Sequence, residues 1–331
     1  MKSNHERYLY LGLDTSAYTT SLALVDHNEK LLVDQRFLLP VNKGSLGLRQ
    51  SEAVFSHILN FPRLWQQERK VLNDAFLAAV ACSVRPRPVD ESYMPVFKVS
   101  EAFGLFLAQT MGLNYLPSSH QEGHVIAGLW SAGLKQGNYL ILHLSGGTTE
   151  ILSSEETEPG LLKLQLLGGT ADLNAGQFID RLGQAMGLGF PAGPKLERLA
   201  CKSRNESIKL PLAVKGSNIS FSGPASHAER LLEQGCSRED LARAIEKCIA
   251  DSLSVAVRGS MLKANDYQGL LAVGGVSANI YIRNRLKEKL SGWSLFFARP
   301  EYAPDNAVGL AVQAARRLGE NREEMTDVKR N

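Results

Sequence analysis

Two segments of this chain share one plan, and that plan restricts the fold more than any other feature of the sequence. "YLYLGLDTSAYTTSLALVD" (8–26) is an apolar strand, a small polar turn and a second apolar strand. "YLILHLSGGTTEILSSE" (139–155) repeats it about 130 residues later. Turns rich in Ser, Thr and Gly suit hairpins, and their free backbone N–H groups suit an anion such as phosphate. Alternating helical and strand patterns follow each hairpin. Together these predict a duplicated α/β protein with a cleft between its halves.

The remaining patterns fit. Residues 51–68 and 100–112 are predicted helical, with a strand at 76–84 between them. "RPRPVDESYMP" (85–95) is a loop, because its prolines block helix and sheet interiors. The second half predicts a helix at 174–187, a Gly/Pro loop "GLGFPAGP" (187–194), and helices at 223–235 and 238–264. A strand, a Gly-Gly turn and a basic helix follow in 269–290. A last helix over 305–318 precedes a charged tail expected to fray.

Composition sets limits. With 331 residues, of which 44% are hydrophobic and 21% charged, the chain has material for a sizeable core. No run approaches the roughly 20 apolar residues of a membrane span. The N-terminus passes from polar residues directly into a strand-length apolar run, unlike a signal peptide, so a cytoplasmic protein is expected. Cys82, Cys201, Cys236 and Cys248 show no zinc-ribbon spacing. A net charge of +3 permits nucleic-acid contact without arguing for it.

Several residues carry candidate chemistry. In "PSSHQEGHVIAGLW" (117–130), His120 and His124 stand four apart in the first turns of a helix that Ser118 or Ser119 can cap. That spacing lets two imidazoles share a metal; taken alone, such a pair is more often structural or exposed than metal-binding. Glu122 is turned off the histidine face, which makes it a poor base for a zinc-protease site. A third ligand must come from elsewhere. Asp305, in "YAPDNAVGLA", is a candidate, unless it only caps the following helix. Gly146-Gly147 after Ser145, and Gly274-Gly275 before Ser277-Ala278-Asn279, each offer a phosphate cradle or simply a turn. Asp172, Asp180 and Glu197 surround the Gly/Pro loop, as ribose-binding carboxylates or as a solvated face.

Taken together, "HQEGH", "LSGGTTEIL", "NAGQFIDRLGQAMGLGFPAGPKLERLA", "NISFSGPAS", "AVGGVSAN" and "YAPDNAVGLA" resemble, in order, the motifs of the TsaD family. These are the tRNA threonylcarbamoyladenosine synthases, formerly called O-sialoglycoprotein endopeptidases or glycoproteases. The resemblance spans nearly the whole chain. It implies the two-lobed actin/hexokinase/Hsp70-like ATPase fold with duplicated RNase H-like domains. The lobes would be residues 1–136, carrying the histidine pair, and 137–331, binding nucleotide, with the final helix able to pack back on the first lobe.

The resemblance also implies roles. His120, His124 and Asp305 would hold one iron or zinc ion. The turn His143, Leu144, Ser145, Gly146 and Gly147 would bind an adenylate or ATP-type nucleotide. Asp180, Gly193, Glu197 and Asn279 would hold its nucleoside, with Glu197 where the family usually has Asp. The implied activity is acyl transfer from an adenylate to the exocyclic amine of an adenosine in tRNA, with further protein subunits as partners and no membrane.

Two departures stand against this. The first hairpin turn reads "TSAYTT" where the family reads T-S-C-D-E-T, so Tyr18 and Thr19 replace an acidic pair. "RPRPVDESYMP" replaces a glycine-rich G-P-G-L segment. No catalytic residue is assigned; Asp14, just upstream, is a candidate to compensate. The departures favour a second reading, a nucleotide- and metal-binding regulatory paralogue weak in transfer. A metalloprotease, which lacks its glutamate base here, and a sugar kinase, which has no use for the histidine pair, rank lower.

Overall fold

The hairpin over 8–26 forms two strands buried along nearly their whole length, β1 (Tyr8–Thr15) and β2 (Thr19–Asp26), paired antiparallel with Asp14 opposite Ser21. β3 (Leu31–Leu38) continues the meander on one side. After α1 (Gln50–Glu68), β4 (Phe76–Arg85) pairs parallel with β1. After α2 (Phe97–Met111), β5 (Asn114–Ser119) pairs parallel with β4. The sheet order is β3-β2-β1-β4-β5. The structure, a computed structural model, describes residues 7–41, 47–68, 71, 75–135, 137–261 and 267–328.

The second half repeats the arrangement. α3 (His120–Ser131) leads to β6 (Tyr139–Leu144), β7 (Thr149–Glu158) and β8 (Leu161–Thr170), an antiparallel meander. α4 (Ala175–Ala185) and α5 (Gly193–Ala200) follow, then the short strands β9 (Val214–Lys215) and β10 (Asn218–Ile219). Next come α6 (Ser222–Glu233), α7 (Arg238–Met261) and β11 (Gly269–Val273), which pairs parallel with β6. The end of the predicted 238–264 helix lies outside the described residues. α8 (Ile280–Lys289) leads to β12 (Leu295–Phe297), parallel with β11, and α9 (Val308–Val328) closes the chain.

The second sheet runs β12-β11-β6-β7-β8-β10-β9. Its β6, β7, β8, β11 and β12 match β1 to β5 in order and direction, so the duplicated hairpins seed two RNase H-like sheets.

Sequence patterns miss β5. It carries Pro117, which lacks an N–H, and an edge strand tolerates that loss. The helix begins only after it. The charged tail, expected to fray, instead continues α9 to Val328. Residues 320–328 contain no Gly or Pro to stop it.

α3 and α9 fill the space between the sheets. Val125, Ile126 and Leu129 of α3 and Val308, Leu310 and Ala311 of α9 pack with Tyr10, Ala23 and Ala79 on one side. Ile141, Leu271 and Val273 close the cluster from the other. The two helices approach at backbone distance: a Cβ on Gly309 would fall 1.9 Å from the Gly123 carbonyl oxygen. Only glycine fits there. This contact sets the residues just before α9 beside the first turn of α3. Among the described residues, no helix is long and apolar enough to cross a membrane.

Candidate metal centre

Ser119 starts α3. Its hydroxyl accepts from the Glu122 N–H at 3.1 Å, and the Glu122 carboxylate accepts from the Ser119 N–H at 2.7 Å. This capping box fixes the first turn and holds Glu122 in the cap, so Glu122 is not placed as a base beside the histidines. His120 and His124 then stand one turn apart, with ring centroids 4.6 Å from each other.

Asp305 closes the set from the turn before α9. Its Oδ1 lies 3.1 Å from His124 Nε2 and 3.5 Å from His120 Nε2. One ligand atom from each of the three residues can be chosen with all three within 4.8 Å of one another. Two imidazoles and one carboxylate are the donor chemistry of a first-row metal site with positions left for a ligand, so the residues present fit an iron or zinc ion.

The first hairpin braces this set. Asp14 Oδ1 is 2.8 Å from His120 Nδ1, which leaves Nε2 facing Asp305. The Ser16 hydroxyl donates to Asp305 Oδ2 at 2.5 Å. Burial opposes a charge on His120, but the charge and hydrogen bond of Asp14, joined by Asp305, prevail and raise it to about 10. Burial likewise opposes ionisation of Asp305, and the hydrogen bonds from His120 and His124 overcome it, holding the carboxyl well below the usual range. The pocket is therefore built around a cation shared with a carboxylate, and a metal would take the proton's place.

The pairing of β6 with β7 adds a third imidazole. His143 is 2% exposed, and its ring centroid lies 5.0 Å from that of His124. Burial, reinforced by the neighbouring charges on His124 and His120, holds it well below its ordinary pKa, so it is neutral. Leu144 turns into the apolar core behind. Ser145 N–H donates to the Thr148 carbonyl at 2.8 Å, closing the turn. Gly146 and Gly147 sit at its tip, where an added Cβ would meet no heavy atom within 4 Å. The start of α4 abuts this turn, with Ala175 N–H donating to Thr149 Oγ1 at 2.8 Å. On the other side Gly274, at φ +87, follows β11; a Cβ there would strike the Leu144 carbonyl oxygen at 2.3 Å.

The four nucleoside candidates lie along one connected path. Asp180 Oδ1 accepts from Ala192 N–H at 2.7 Å, next to Gly193 at the start of α5. Its carboxyl is raised by burial, against that hydrogen bond. Glu197 accepts from Ile280 N–H at 2.7 Å. The Asn279 side chain caps α8, accepting from Ile282 N–H at 2.8 Å, and donates to Glu246 at 2.6 Å. Asp172 instead organises a turn: it accepts from Leu173 N–H, Phe221 N–H and the Ser220 hydroxyl.

A residue from each departure reaches the second half of the chain. Tyr18 packs on Phe190 of the Gly/Pro loop, with ring centroids 5.1 Å apart. Burial, then the charge of Asp180, raises its phenol. Thr19 is buried, and its N–H donates to Ser16 Oγ at 3.2 Å. From the 85–95 loop, Arg87 reaches Glu150 of β7 at 2.6 Å.

Sequence patterns do not single out Ser16, Arg87, Gln121, Glu150 or Glu246. A signal exists for two of them. Glu150 lies directly opposite His143 in the hairpin register. Glu246 falls four residues after Ala242 on the buried stripe of α7.

Several solved structures share this fold, two of them with a bound nucleotide analogue. The chain is 14% identical to the activator of 2-hydroxyisocaproyl-CoA dehydratase from Clostridium difficile with bound ADPNP, at a TM-score of 0.56 over 96% of this chain and 97% of that one. It is 12% identical to a ROK family glucokinase from Streptomyces griseus in complex with glucose and AMPPNP, at 0.52 over 92% and 99%. T. kodakarensis HypF matches at 15% identity and 0.60, over 96% of this chain and 48% of that one. At these identities the likeness carries the fold alone, the actin/hexokinase/Hsp70-like ATPase fold. Residues 96–312, more than half of the chain and including all three candidate metal ligands, match the family described as TsaD, tRNA N6-adenosine threonylcarbamoyltransferase. The chain belongs to the TsaD family.

Proposed function

We propose that this protein transfers a threonylcarbamoyl group from an adenylate to the exocyclic amine of an adenosine in tRNA, in the cytoplasm and with one iron or zinc ion held by His120, His124 and Asp305. Family membership supports a transferase of this general type acting on tRNA. The observation that carries the finer reading is the meeting of the His120–His124–Asp305 set with the end of β6, where the candidate anion-binding turn begins.

An ion bound there would supply Lewis-acid polarisation of the donor's phosphate or carbonyl. The chain's own residues do the rest by positioning. Asp14 holds His120, and Ser16 holds Asp305. The glycine tip of the 145–147 turn, where the backbone is open, and the N-terminus of α4 would receive the phosphate. Asp180, Gly193, Glu197 and Asn279 line the nucleoside's place. The amine nitrogen bonds to the carbamoyl carbon, the bond from that carbon to the phosphate oxygen breaks, and AMP leaves with the electron pair while the amine loses a proton. Donors aimed at the departing phosphate stabilise the charge that develops on it.

A second reading rests on Tyr18 and Thr19. They occupy the turn beside the metal set without a carboxylate, as in a paralogue that binds nucleotide and metal but transfers poorly. Purified, metal-loaded protein given the adenylate donor, unmodified tRNA and partner subunits separates the two. Modified nucleoside found by mass spectrometry supports the first reading, and AMP binding without product supports the second.

A further inference from the structure

His143 holds a proton that the interactions described so far leave unused. Along β6, Leu140, Leu142 and Leu144 face the core of the second sheet, while Tyr139 and Ile141 face α3 and α9. Strand alternation sends His143 to the α3/α9 side, beside His124. Its Nδ1 lies 3.3 Å from Gln121 Nε2. That same Gln121 nitrogen is 2.7 Å from Glu150 Oε2. A carboxylate there only accepts, so this atom is the amide nitrogen and donates to both groups. The other oxygen of Glu150 is held by Arg87. Nδ1 is thus an acceptor, and in a neutral ring the proton sits on Nε2.

That Nε2 is buried and has no hydrogen-bond partner among the described residues. The adjacent ring atom Cδ2 lies 3.1 Å from where a Cβ on Gly274 would be. The unpartnered N–H therefore lies where the metal set, the end of β6 and the Gly274 turn converge. Buried N–H groups without partners are rare in proteins and call for an explanation. A ligand oxygen supplies one.

We propose that His143 is a ligand-binding residue whose Nε2–H donates to an anionic phosphate oxygen of the bound nucleotide, and that Arg87, Glu150 and Gln121 are positioning residues that fix this tautomer. The proposal rests on the adenylate reading above. It also explains what the departure in the 85–95 loop contributes, since Arg87 anchors, from the first lobe, a relay that sets a proton in the second.

The test is calorimetric titration of AMP into metal-loaded wild type, His143→Leu and His143→Gln, with metal content measured on each. Losing a hydrogen bond to a charged group should weaken AMP binding about 10- to 100-fold in His143→Leu. His143→Gln, which keeps an N–H at similar reach, should stay within about threefold on the same scale. Metal content should be equal in all three. Undiminished AMP affinity in His143→Leu overturns the proposal while leaving the adenylate reading standing. Metal loss in both variants overturns it too, because the ring would then be a ligand through a bare Nε2. Failure of the wild type to bind AMP removes both the reading and the proposal. Nitrogen-15 NMR of histidine-labelled wild type decides independently of any variant's folding: a proton on Nε2 of His143 is expected, and one on Nδ1 overturns the assignment.

Discussion

Asp14 Oδ1 stands 2.8 Å from His120 Nδ1, so a carboxylate on the first strand of the first sheet orients an imidazole on the helix between the sheets. A carboxylate behind a ligating histidine fixes its tautomer and raises its basicity. Asp14→Ala should therefore weaken metal binding about 10- to 100-fold. Competition with a chromophoric chelator measures this, and unchanged affinity would mean that Asp14 is incidental to the site.

The spacing of α3 and α9 depends on Gly309, whose Cβ would lie 1.9 Å from the Gly123 carbonyl oxygen. Gly309→Ala must push the helices apart, at a cost of about 1–3 kcal/mol. Because Asp305 precedes α9 and His124 lies on α3, metal affinity should fall with stability. Urea denaturation and chelator competition on one variant check both. Loss of stability with full metal affinity would separate the helix contact from the site.

Gly146 offers the opposite case. An added Cβ there meets no heavy atom within 4 Å, so Gly146→Val should fold normally. It should still obstruct the approach of a phosphate to the backbone N–H groups. Wild-type thermal stability with AMP binding lost is the expected pair of results. Full AMP affinity would move the cradle elsewhere.

Glu246 gives stability a pH dependence. Burial pushes its carboxyl up from 4.5 to about 7, against the hydrogen bond from Asn279 and the charge of Arg243. The folded value lies above the unfolded one. Its contribution is thus complete below about pH 4.5 and is lost as pH rises through about 7, a change of about 3 kcal/mol. Glu246→Gln should remove that part of the fall in stability between pH 5 and pH 8. Urea midpoints at both values test it, and parallel losses in the two proteins would count against it.

The repeated hairpin was legible because its strands are long apolar runs around a polar turn, and it sets the antiparallel pair from which each sheet grows. β5 was not, since Pro117 and two serines hide an edge strand that needs only a partner in β4. In the site, the spacing of His120 and His124 was visible in one helix, and Asp305 was visible as a loop carboxylate. Whether they meet is decided by Gly123 and Gly309, 186 residues apart, through a close approach that no local pattern encodes. Gln121, Glu150 and Arg87 were hidden for a related reason. Each looks like an ordinary polar residue in its own segment, and they become a relay only when α3, β7 and the 85–95 loop converge on His143.

The central claim is transfer chemistry at the His120–His124–Asp305 set. It is tested most directly in cells depleted of their own enzyme, by mass spectrometry of threonylcarbamoyladenosine in tRNA after expressing this protein or its Asp305→Ala variant. Modified nucleoside with the wild type and none with the variant, at equal protein levels, is the predicted result. Equal modification by both would contradict a role for the metal set, and none with either would contradict transfer itself.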